Sequence, residues 1–146
     1  MVNLFELQRN VHAIDLKDIG RTVLLGSESQ NIIVELQKEQ LMQGKDATGE
    51  NIAPSYYSNA YADMKQGKNS RPDWATPDLK QTGDFHRGIY FNTDTMNLAS
   101  SDAKTPSLIE KYGEHTLGLN EDSLENYRPY FNQKTIEEFV AQLNGE

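Results

Sequence analysis

The stretch from Asp15 to Gln43 constrains the fold more than any other. Leu16, Ile19, Val23 and Leu24 recur at three- and four-residue spacing, and Ile32, Ile33, Leu36 and Leu41 carry the apolar content onward. Side chains three and four apart share one helical face, so a long amphipathic helix is expected over 15–43. Asp15 stands where its side chain can accept from amides left free at the first turn. The stripe falters at Gly26-Ser27, where a kink or slight break is expected, and Gly44 supplies a stop. Ile136, Phe139, Val140 and Leu143 form a second stripe, which predicts a C-terminal helix over 132–143.

Shorter helices are expected at "NLFELQRNVH" (3–12), with Leu4, Phe5 and Leu7 as its apolar part, and at "SYYSNAYADMKQ" (55–66), with Tyr57, Tyr61 and Met64 on one face. Another is expected around Leu108, Ile109 and Tyr112, ended by Gly113. The stretches "GKDATGENIAPS" and "GKNSRPDWATPD" read as loops, rich in glycine, proline and small polar residues. Being polar and interrupted, the loops over 44–55 and 66–78 are expected to be mobile in a free subunit and ordered by neighbours.

Between these parts lies "LKQTGDFHRGIYFN". A polar turn on Thr82, Gly83 and Asp84 runs into Phe85 and then into Ile89-Tyr90-Phe91, which favour a strand. "NTDT" turns the chain and "MNLASS" returns, predicting an antiparallel hairpin of 87–93 and 95–101. The expected fold is therefore α+β, with the long N-terminal helix and the C-terminal helix packed on a small antiparallel sheet. At 146 residues the chain is one domain, 1–146. On the strand, Tyr90 and Phe91 point to opposite faces, so one is expected in the core and the other at a partner.

The apolar supply is thin: 36% of residues are hydrophobic and the mean hydropathy is -0.72. Cores this lean are often completed by an oligomer interface, the alternative being a monomer with long polar loops. The chain has no cysteine, which excludes disulfides, thiolate metal sites and cysteine nucleophiles. No run approaches the ~20 apolar residues of a membrane helix, and "MVNLFELQRN" lacks the pattern of a signal peptide. No membrane partner and synthesis in the cytoplasm are expected. The net charge is -8, and the densest basic run is only Lys65, Lys68 and Arg71. Tight nucleic-acid binding needs cations to replace phosphate counterions, so specific binding to DNA is not expected.

Little chemistry stands out. His12, His86 and His115 are far apart and lack metal-ligand spacing. "GKDATG" places its lysine before the loop, where it cannot reach a cradled phosphate, and "DATGEN" lacks the oxygen ligands of a calcium loop. Asp84 and His86, two apart on a strand, would share a face and are the one suggestive acid–base pair. The plainer expectation is that Asp84 caps the turn and His86 is exposed. No catalytic, cofactor-binding or metal-binding residue is expected.

The order of parts resembles the tailed-bacteriophage virion morphogenesis proteins, the tail-completion or head–tail connector family. The resemblance spans about residues 15–143. It is carried by Gly44, Asp46 and Gly49; by Pro54, Ser55, Tyr57, Tyr61 and Lys65; by Leu79, Thr82, Gly83, Asp84 and Phe85; and by Tyr112-Gly113. Two departures place the chain with a divergent branch. "EHTLGLNEDSLENYRPYF" stands where relatives often have a proline-arginine-proline-aromatic run, and Asp84 stands where many have arginine.

The resemblance implies a non-enzymatic protein of the virion neck, assembled in the host cytoplasm. It would form a homo-oligomeric ring joining capsid and portal to tail, with DNA passing through unbound. No cofactor is implied. The subunit contact is expected at Arg87, Tyr90, Phe91 and Trp74. The alternatives are an assembly chaperone or binding module that leaves the particle, and a small hydrolase using Asp84 and His86.

Overall fold

The computed structural model describes residues 3–54, 64, 76–80 and 83–146. The helix expected over 55–66, apart from Met64, and Trp74, Lys65 and Thr82 lie outside the described residues.

The chain opens with α1 (Leu4–Ala13), started by a capping box in which Asn3 Oδ1 accepts from the Glu6 amide at 3.0 Å and Glu6 Oε2 accepts from the Asn3 amide at 3.1 Å. The single helix expected over 15–43 is in fact two, α2 (Leu16–Leu24) and α3 (Ser27–Met42). Asp15 caps α2, accepting from the Lys17 amide at 2.9 Å. The break is complete because Gly26 takes an extended backbone, φ -64° and ψ 146°, which stops the helical hydrogen-bond ladder. Gln30 Nε2 reaches back to the Leu25 carbonyl at 2.7 Å and satisfies an acceptor that the break leaves over.

Past the corner come the single-turn helix α4 (Asp84–Arg87), then β1 (Ile89–Asn92) and β2 (Asn97–Ser100). The hairpin is antiparallel with Tyr90 opposite Ala99 and Phe91 opposite Leu98. It is shorter than expected at both ends: Arg87 closes α4 instead of opening the strand, and residues 93–96 form the turn. Asn92 Oδ1 holds that turn by accepting from the amides of Asp94 (2.9 Å) and Thr95 (3.2 Å). Next are α5 (Thr105–Tyr112), a 3₁₀ turn (Glu114–Thr116) and α6 (Glu121–Leu143).

The last helix starts at Glu121 and not near 132. Asn120 caps it by accepting from the Ser123 amide at 3.0 Å, and Glu121 and Asp122 sit in its first turn, where the helix dipole favours anions. Pro129 lies inside this helix. A proline there removes one ladder bond at a cost of about 3 kcal/mol. Before the proline, Ser123 and Tyr127 are buried, and the Tyr127 hydroxyl lies 2.6 Å from Ser29 Oγ, tying α6 to α3.

α6 is the spine on which α1, α2 and α3 pack, and α3 in turn supports β1. The main apolar cluster is Leu41, Ile52, Phe85 and Ile89, flanked by Val34, Leu79, Leu98, Leu108, Tyr112 and Leu117. Much of the buried face of α3, however, is polar: Ser29, Gln37 and Gln40 are as buried as Ile33 and Leu41. Gln40 Nε2 donates to the Gly118 carbonyl at 2.8 Å, and its Oε1 accepts from the Asn120 amide and Ser123 Oγ, both at 2.8 Å. Gln37 Oε1 accepts from the Gly118 amide at 2.7 Å. Two glutamines thus fasten the connection before α6, and the first turn of α6, onto α3.

Gly113 ends α5 as the sequence led one to expect, with φ 97° and ψ 165°. This is a region open almost only to glycine. No atom lies within 4 Å of where a Cβ would be. Gly113→Ala should therefore cost about 1–3 kcal/mol through backbone strain alone. Urea unfolding would check it; an unchanged midpoint would show that the backbone relaxes freely.

Candidate functional site: the corner, its groove and the exposed surface

Gly83 makes the corner, with φ 90° in the left-handed region that glycine enters without penalty. It takes the N-cap position of α4, and no side chain caps that turn, so the expected capping role of Asp84 is not what the structure shows. Asp84 is instead ion-paired with Arg87 one turn on, and its other oxygen is 4.0 Å from Lys104 Nζ. Phe85 enters the core cluster. Ser100 Oγ donates to the Phe85 carbonyl at 2.9 Å and ties the corner to β2.

His86 is not on the surface: it is only 5% exposed. Its Nε2 lies 2.7 Å from the Asp78 carbonyl oxygen. A carbonyl can only accept, so Nε2 carries the proton and the neutral ring has Nδ1 bare. Burial pushes the pKa of His86 below its ordinary value, against the opposing pull of Asp78. Because α4 is a helical turn and not a strand, Asp84 and His86 do not share a face; one is exposed and the other buried.

A groove of about 580 Å³ runs between α3 and this corner, lined by Glu35, Lys38 and Glu39 on one side and Lys80, His86 and Arg87 on the other. Lys38 is paired with Glu35 at 3.1 Å. The groove is therefore mixed in charge. Among the described residues no group of three or more metal-ligating side chains could hold a metal ion, and no helix is long and apolar enough to cross a membrane. His12 and His115 are exposed.

The residues expected at a subunit contact are distributed unevenly. Tyr90 is 43% exposed on the outer face of β1, Arg87 is exposed at the end of α4, and Phe91 is half-buried. Trp74 lies outside the described residues. The loop after α3 makes hydrogen bonds of its own. Lys45 and Asn51 form a β-bridge, and the Ile52 amide donates to the Gly44 carbonyl at 2.8 Å. Asp46 Oδ1 accepts from the Thr48 amide at 2.9 Å and Thr48 Oγ1 at 2.6 Å. Contacts within the subunit already shape 44–52.

Sequence reasoning missed that several large apolar side chains of the helices are exposed. Leu4 and Phe5 on α1 are 76% and 83% exposed, and Leu16 on α2 and Ile136 and Val140 on α6 are also exposed. The spacing of Ile136 and Val140 signalled an amphipathic helix, but it could not say that α6 turns this pair outward. α1 buries no residue at all. Comparison with family models, with curated proteins and with solved structures returns no match.

Proposed function

We propose that this chain is a non-enzymatic structural protein of the neck of a tailed-bacteriophage particle, a subunit of a homo-oligomeric ring between capsid or portal and tail. The observation that carries the reading is the "L-x-x-T-G-D-F" corner at Leu79–Phe85. Gly83 reverses the chain there, Phe85 anchors it, and the chain passes directly into a hairpin with Tyr90 on its outer face. This is the arrangement that the order of parts implies for connector proteins.

Two further features suit it. Large exposed apolar side chains on α1, α2 and α6 offer surface for protein neighbours. A net charge of -8 suits a channel wall that repels phosphate and lets DNA slide. The partners are other copies of the chain and the adjoining neck, portal or tail proteins, and the place of action is the virion.

The test is substitution of Tyr90. Its side chain is exposed and its backbone pairing with Ala99 needs no phenol, so Tyr90→Ala should change stability by no more than about 0.5 kcal/mol. Aromatic anchors at interfaces typically contribute about 2 kcal/mol or more, so particle completion should fail in complementation. Particles completed at the normal yield would count against the hairpin as the contact. Mass spectrometry of purified particles separates this reading from an assembly chaperone, which would leave before completion.

A further inference from the structure

Six residues give α1 a fully exposed half. Leu4, Gln8 and Val11 stand one above another at four- and three-residue spacing, and Phe5, Arg9 and His12 form a second line beside them. The opposite half, with Leu7, Asn10 and, just past the end, Ile14, is half-buried. Asn10 Nδ2 donates to the Leu143 carbonyl at 2.8 Å, and α1 packs on α6. The helix thus carries apolar side chains on two sides, and its own subunit covers only one of them. A helix of ten residues is marginal in water without packing. The capping box at Asn3 and Glu6 nevertheless sets Leu4 and Phe5, 76% and 83% exposed, in its first turn.

A second uncovered stripe lies on α6. The Phe131 ring lies against Gly20 on α2, and Tyr127 reaches Ser29 on α3. Successive helical residues turn by about 100°. Ile136 and Val140, five and nine places beyond Phe131, therefore fall on the far side of α6, where both are exposed. Gln133 and Glu137 are exposed beside them. Gln133 Nε2 donates to Glu137 Oε1 at 3.2 Å, and Lys134 Nζ is 3.3 Å from Glu137 Oε2. We infer that α1 of one copy docks on this stripe of a second copy, with Leu4, Phe5 and Val11 covering Ile136 and Val140.

Charge selects a second copy as the partner. The exposed half of α1 holds Arg9 and His12 and no acidic residue, whereas α6 around the stripe holds Glu137 and Glu138 against Lys134 alone. A chain of net charge -8 repels its own copies. A face free of carboxylates is the one best suited to approach an acidic one. The aliphatic line of Leu4 and Val11 also meets an aliphatic pair spaced four apart, as ridges of packed helices do. Each copy carries one surface of each kind, so the contact can be made twice across a two-fold axis or once per step around a ring. It adds to the contact proposed at Tyr90 and rests neither on that contact nor on a place in the virion neck.

The lack of cysteine in the chain makes the pairing directly readable. Full-length Phe5→Cys and Ile136→Cys chains are mixed and treated with a short bismaleimide, so that every cross-link joins two copies. The mixed pair should form several-fold faster than either like pair. Like pairs that form as fast as the mixed pair overturn the proposal. Sedimentation of the wild type should show self-association with a Kd of about 1 mM or tighter. Phe5→Glu should weaken it at least about tenfold while leaving circular dichroism and melting unchanged, because the ring is exposed. A wild type that stays monomeric to about 1 mM overturns the proposal, also where it binds phospholipid vesicles instead. A folded Phe5→Glu chain that associates as well as the wild type does so too. If that variant does not fold, wild-type sedimentation and the cross-linking pattern decide.

Discussion

Gln40→Ala is expected to be the most damaging single polar substitution among the described residues, lowering folding stability by about 3–5 kcal/mol. The side chain is 1% exposed and engages three groups at 2.8 Å: the Gly118 carbonyl, the Asn120 amide and Ser123 Oγ. Truncation leaves each of these without its partner at a place closed to water, and an unsatisfied buried group costs roughly 1–3 kcal/mol. It also loosens the cap of α6, because Asn120 is both a Gln40 partner and the residue that accepts from the Ser123 amide. A domain of this kind has only about 5–15 kcal/mol in total, so the variant should unfold at far lower denaturant. Glu39→Ala, one residue away and exposed, should shift stability by no more than about 0.5 kcal/mol. Equal midpoints for the two variants would mean that the glutamine clamp contributes little.

Phe85→Ala should cost about as much for a different reason. Phe85 is buried among Leu41, Ile52 and Ile89, drawn from α3, the loop after it and β1. Removing a buried phenyl ring loses its transfer free energy and leaves a cavity, together about 3–5 kcal/mol. The corner and the hairpin should loosen together, since the Phe85 backbone also holds Ser100 on β2. Chemical denaturation gives the magnitude, and amide exchange in β1 and β2 gives the location. A loss below about 1 kcal/mol would show that the cluster collapses to fill the space.

What the sequence disclosed depended on which physical signal each part carries. Helix existence was legible because apolar spacing and caps are local: Asp15 caps α2 and Gly113 ends α5. The hairpin was legible from Ile89-Tyr90-Phe91 and its turn, but its ends were not, because the left-handed Gly83 let residues 84–87 coil before the strand began. The true start of α6 was not legible, because Asn120 and Ser123, which open it, are held by Gln40 from some 80 residues away. The buried polar face of α3 was invisible for a similar reason. Ser29, Gln37 and Gln40 look like a solvated face until the partners around Gly118 and Asn120, some 80 residues away, are brought against them. His86 was misread on the same ground, since its burial comes from contacts that no local pattern encodes. The outward turn of Ile136 and Val140 likewise depends on which side of α6 the other helices occupy.

The central claim is that the chain is a ring-forming component of a phage neck, and the most direct measurement is an electron cryomicroscopy reconstruction of the purified particle. The account predicts several copies in a closed ring between portal and tail, since closed symmetry stops a head-to-tail contact from growing into a filament. The outer face of β1, with Tyr90, should lie against a neighbouring copy. A single copy in the neck, or none, would contradict it.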